Sequence, residues 1–181
     1  MYYNSIIGGN SNYIEEGYGM GIFGGSSNQI TFRGHASSYS FIGGGESNNI
    51  NGSDHSSIIG GQSNTIQNFS YSTNFEVNVI IGGVTNRLSN TNPTPAFGYN
   101  TIIGGSSSDI TELNNPTSVY FNSIIGGDDN HISDSNNSSI LGGESNQITG
   151  NNGIALFSDT IVGGSGNQID RKSTCLNSSH I

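Results

Sequence analysis

Ser5-Ile6-Ile7-Gly8-Gly9-Asn10-Ser11-Asn12-Tyr13-Ile14 is a ten-residue phrase that the chain repeats nine times. Its glycine pairs begin at Gly8, Gly24, Gly43, Gly60, Gly82, Gly104, Gly126, Gly142 and Gly163, at intervals of 16 to 22 residues. The third copy has a third glycine (Gly43, Gly44, Gly45), which leaves its register open by one residue. A fixed phrase at this period is the signature of a solenoid, whose coils stack and share one core.

Each position of the phrase forms a column. Position 2 reads Ile6, Ile22, Phe41, Ile58, Ile80, Ile102, Ile124, Ile140 and Ile161. Position 3 reads Ile7, Phe23, Ile42, Ile59, Ile81, Ile103, Ile125, Leu141 and Val162, and position 10 is Ile or Leu throughout. Such residues suit strands, and the glycine pair lets the backbone bend without steric cost. Position 8 is Asn12, Asn28, Asn48, Asn64, Asn86, Asn130, Asn146 and Asn167, with Ser108 the one departure. Asparagine tolerates the left-handed backbone region, and stacked copies can form a hydrogen-bonded ladder.

Composition sets the outer limits. With 28 glycines and 31% apolar residues in 181, the core is thin for a globular protein but sufficient for coils that share one. The regular apolar columns argue against disorder, and one solenoid domain over residues 1–169 is expected. The formal net charge is −9, and outside the last 12 residues the only cations are Arg33 and Arg87. That argues against nucleic-acid binding and attraction to anionic membranes. No apolar run reaches membrane-spanning length, so no membrane insertion is expected. No charged-then-apolar leader opens the chain. The single Cys175 gives no disulfide framework. Residues 170–181 break the pattern and resemble the translated sequence of a sequencing adapter, so they are set apart from the repeat domain.

Between copies lie variable links, as short as six residues. After copies four, five and six they lengthen to 12, at residues 67–78, 89–100 and 111–122. These long links carry turn chemistry first and apolar residues two apart later, as in Phe97-Gly98-Tyr99 and Val119-Tyr120-Phe121. The spacing predicts that the strand face of position 3 extends upstream there, with the earlier halves protruding as stacked loops. Phe69, Tyr71, Phe75, Phe97 and Tyr120 are the candidate ligand contacts, as apolar platforms for sugar faces.

Positions 2 and 3 are adjacent and face opposite ways in a strand. A single thin coil buries only one of them. The second apolar column calls for another layer, and a second chain is the favoured source. A wider single-chain β-helix burying both columns is the alternative.

The segments Asn4-Ser5-Ile6-Ile7-Gly8, Asn100-Thr101-Ile102-Ile103-Gly104 and Asn122-Ser123-Ile124-Ile125-Gly126 resemble the N-S-V-A-I-G phrase of YadA-like trimeric adhesin heads. The form I-I-G-G-x-S-N-x-I is similar to repeats in bacteriophage tail fibres. The resemblance covers residues 5–169, although the alanine of the adhesin phrase is absent and the coils are longer than is usual there. It implies a left-handed parallel β-roll, a homotrimer, and an extracellular place on a virion tail or bacterial surface. The implied role is attachment to a cell-surface glycan or receptor. A purely structural fibre spacer is the competing reading.

Other chemistries fit poorly. The P-loop needs Gly-Lys-Ser/Thr, and residues 1–169 contain no lysine. Gln168 stands where calcium-binding repeats need Asp, and Asp128-Asp129 is one isolated acidic turn. His35, His55 and His131 lack metal-ligand spacing, and no Gly-x-Ser-x-Gly elbow occurs. No enzyme activity, metal or cofactor is expected. Ice binding would need a regular hydroxyl rank, but Gly21 and Val79 interrupt the position 1 column.

Overall fold

The computed structural model describes residues 3–15, 17–31, 39–68, 77–91, 97–113, 119–150 and 158–170. Among them there is no helix. The chain is a parallel β-solenoid with two nine-stranded sheets. One sheet collects positions 1–3 of every coil, from Ser5–Ile7 at one end to Thr160–Ile161 at the other. The second collects positions 9–11, from Tyr13–Ile14 to Gln168–Asp170. In both, each strand pairs with the equivalent strand of the next coil, so Ile58, Ile80, Ile102 and Ile124 lie in one register line. A line of single bridges at position 6, from Asn10↔Ser26 to Glu144↔Ser165, joins the coils between the sheets.

Strand alternation decides the core. Position 2 points inward, and Ile22, Ile58, Ile80, Ile102 and Ile124 are fully buried. Ile30, Ile50, Ile66, Leu88 and Ile110 complete that core from the second sheet at position 10. Position 3 points outward: Ile59 is 50% exposed, Ile81 and Ile103 39% each. One chain therefore does not bury both columns, and the wider single-chain alternative is not what forms.

The third copy resolves its register. Ile42 pairs with Ile22 and Ile58, while Phe41 pairs with Gly21 and Ser57. Ile42, not Phe41, thus occupies position 2, Gly43 occupies position 3, and Gly44–Gly45 is the bending pair. A one-residue slip would turn every side chain to the other face. This register keeps Asn48 and Ile50 in their columns. Phe41 then lies outside against Phe23, ring centroids 5.1 Å apart, and leans over the gap at Gly43.

The bend after position 3 uses left-handed backbone three times in four residues. In the fourth coil Gly60, Gly61 and Ser63 have φ of 70°, 88° and 55°. The expectation that asparagine takes this conformation is corrected. The preceding residue takes it, as at Ser11, Ser27, Ser47, Thr85 and Asp129, and leaves position 8 free to point inward. The repeat also runs one residue past its expected end, because Asp170 still pairs with Thr149. Residues 171–181 lie outside the described residues.

Candidate functional site

Two polar ladders frame the coil interior. The first is position 8, where Asn28, Asn48, Asn64, Asn86, Asn130 and Asn146 are fully buried. Each Oδ1 accepts the backbone N–H of the next coil's equivalent residue, as from Asn64 to Asn48 and from Asn86 to Asn64 at 3.0 Å. The Nδ2 of Asn64 donates to Gly60 O in its own coil and Gly83 O in the next. Asn12 at one end is half-buried and Asn167 at the other is exposed, yet both join the ladder. At Ser108 the backbone N–H still donates to Asn86 Oδ1, but the shorter side chain turns its hydroxyl to Ser106 O. Among the described residues the ladder resumes at Asn130. These eight asparagines are therefore structural, and their amides are consumed by the stack.

The second ladder stands immediately before position 1: Ser40, Ser56, Asn78, Asn100, Asn122 and Ser138, all buried. Asn100 N–H donates to Asn78 Oδ1, Asn122 N–H to Asn100 Oδ1, and Ser138 N–H to Asn122 Oδ1, at 3.0 to 3.3 Å. The sequence carries its signal, since Asn4, Asn78, Asn100 and Asn122 each precede a phrase.

The residue before this second ladder turns a corner in the left-handed region. Coils two and eight place Gly19 and Asn137 there, residues that adopt it readily. Other coils use Tyr39, His55, Tyr99 and Phe121, with φ between 51° and 58°. Three of these rings stay at the surface, with Tyr39 63% exposed, Phe121 58% and Tyr99 45%, while His55 is half-buried. Tyr99 and Phe121 stack at 5.1 Å with 15° between planes, and Tyr120 flanks both at 6.3 and 6.0 Å. Tyr39 and His55 form a smaller pair at 5.2 Å.

This corner revises the expected contacts. Phe97 is fully buried, as is Val119. Strands Phe97–Gly98 and Val119–Tyr120 pair with each other and turn both residues inward. The left-handed residue two positions on then breaks the alternation. Tyr99 and Phe121 emerge as corner residues rather than as an extension of the position 3 face. Tyr120 is half-buried beside them. Phe69, Tyr71 and Phe75 lie outside the described residues, as do 92–96 and 114–118, whereas 67–68, 89–90 and 111–112, expected to open the protruding loops, instead continue strands of the second sheet. Sequence reasoning passed over Tyr99 and Phe121 because a period of two put them on the sheet.

Two other groups stand out. Arg87, Asp109 and His131 line up at position 9 of adjacent coils, with Arg87 bidentate to Asp109 (3.1 and 3.4 Å) and His131 Nδ1 at 3.6 Å from the same carboxylate. Thr65 and Gln147 continue the row on either side. Glu112 is fully buried, and neither carboxylate oxygen has a hydrogen-bond partner. Burial, with Asp134 adding repulsion, pushes its pKa up to about 8. Among the described residues no three His, Cys, Asp or Glu side chains gather as a metal-binding group. No protein-family model matches the chain, and a search of curated proteins finds no match.

Proposed function

We propose that this solenoid is an extracellular attachment module, a section of a fibrous adhesin or phage tail fibre that assembles as a trimer and presents its long coils to a cell surface. The observation that carries this reading is where the irregularity sits. The apolar inner columns run unbroken through coils of unequal length. The three longest links, 67–78, 89–100 and 111–122, are consecutive, and an exposed aromatic cluster stands on two of them. A plain spacer has no use for such decoration on a uniform rod. Stacking brings the described ends of consecutive links side by side at roughly 5 Å spacing. Three chains then repeat the surface, so weak contacts gain by avidity.

The reading is non-catalytic: the buried polar side chains are engaged chiefly in ladders. To test it, each of the links 67–78, 89–100 and 111–122 is replaced by the six-residue link 51–56, which joins coils at the shortest period. The shortened protein should keep its β-rich circular dichroism and lose adhesion to the cells that the parent binds. Adhesion equal to the parent's would favour the spacer.

A further inference from the structure

We propose that the corner formed by Tyr99, Tyr120 and Phe121 is a binding site for neutral saccharides, which stack the C–H face of a pyranose ring on the exposed aromatic surface. The proposal rests on the attachment reading and names the ligand class for it. Its first support is conformational. A bulky side chain in the left-handed region is strained, and Gly19 and Asn137 show that the same corner can be turned without that strain. Stacking Tyr99 on Phe121 repays part of it, but the rings remain about half exposed, so burial does not account for their presence. Strain retained at a surface position is characteristic of ligand clamps.

The second support is the frame beneath the rings. Tyr120 N–H donates to Asn136 Oδ1, and Phe121 N–H to Gly98 O. Asn100 and Asn122, each the next residue after a stacked ring, are buried and fixed in the inner ladder. The aromatic surface is therefore held in place before a ligand arrives, which lowers the entropic cost of binding. The third is charge. The chain carries −9 overall, and Arg87, one of two cations in the repeat domain, is held by Asp109. A sulfated or phosphorylated ligand would meet repulsion. A neutral sugar needs none of that charge. Its C–H bonds meet the electron-rich ring faces, and Tyr99 and Tyr120 bring hydroxyl groups to the same patch.

The full chain is to be titrated with neutral glycans, cellohexaose and galactan oligosaccharides among them, with heparin and phosphatidylcholine vesicles as contrasts. Ligand-observed NMR and tyrosine fluorescence report binding, the latter because the chain has no tryptophan. At least one neutral glycan should bind, and Tyr99→Gly/Phe121→Gly should weaken it by about tenfold or more. That variant copies the residue of coil two. Tyr99→Asn/Phe121→Asn copies coil eight and should behave alike, so a folding defect in one does not leave the question open. Undiminished glycan binding in both variants would falsify the site. Binding of heparin or vesicles with no neutral glycan would overturn the ligand class. In that case loss of cell adhesion on shortening the links would still uphold the attachment reading, so the two can fail separately.

Discussion

Gly60 and Gly61 are neighbours with the same backbone requirement and opposite surroundings. Both have positive φ. A Cβ on Gly60 would meet nothing within 4 Å, whereas one on Gly61 would lie 2.4 Å from both Asn64 Nδ2 and Gly83 O. Gly60→Ala therefore pays only for left-handed backbone, about 1–2 kcal/mol. Gly61→Ala must also displace the ladder and leave buried polar groups unpaired, about 1–3 kcal/mol more. Chemical denaturation of the two variants checks this, and equal losses would mean that the ladder has slack. Glu112 makes a second prediction. Its carboxyl stays protonated in the fold up to about 8, against 4.5 for the ordinary group. The folded state therefore binds the extra proton between those values. The associated stability is present below about 4.5 and is lost as pH rises through about 8. The unfolding midpoint should fall from pH 5 to pH 8, and Glu112→Gln, which cannot ionise, should flatten that dependence. An identical slope in the variant would assign the effect to other carboxylates.

The coil is the element in which sequence and structure agree most closely. The inward columns, the bending glycines and the asparagine stack were legible because each is repeated in nearly every coil, so one misplaced member does not hide the pattern. Features whose residues do not announce their conformation were not. The left-handed residue at position 7 is serine in most coils and carries no glycine signal. Phe97 reads as a surface residue until the left-handed turn at Tyr99 is known. Corner aromatics have no period of their own. The third copy shows the same limit, since its triple glycine fits two registers and only pairing to the neighbours decides. Its register is open to direct test. Ile42→Ala should cost about 2–5 kcal/mol as a core truncation. Phe41→Ala should cost under about 1.5 kcal/mol, because the ring lies on the outer face against Phe23. The opposite order in thermal or chemical unfolding would restore Phe41 to the interior.

At the scale of the molecule, nine coils at the inter-strand spacing make a rod of about 43 Å. Each coil is held almost entirely by its two neighbours, so stability accumulates along the stack. The first coil, with a neighbour on one side only, leaves Ile6 47% exposed, while Ile58 in the same column is buried. The flank poses a larger problem. Ile59, Ile81, Ile103, Ile125 and Leu141 form one continuous outward ridge, each 39 to 50% exposed. A contiguous apolar strip of this kind marks an association surface. Association along the ridge, as in the trimer proposed above, would cover these five residues. The chain should therefore sediment as a trimer in analytical ultracentrifugation. Ile81→Lys/Ile103→Lys should keep the β-rich circular dichroism, because neither side chain enters the coil interior, and should sediment as a monomer. A stable monomer of the parent chain would refute this assembly, and with it the multiplication of surface contacts on which weak attachment depends.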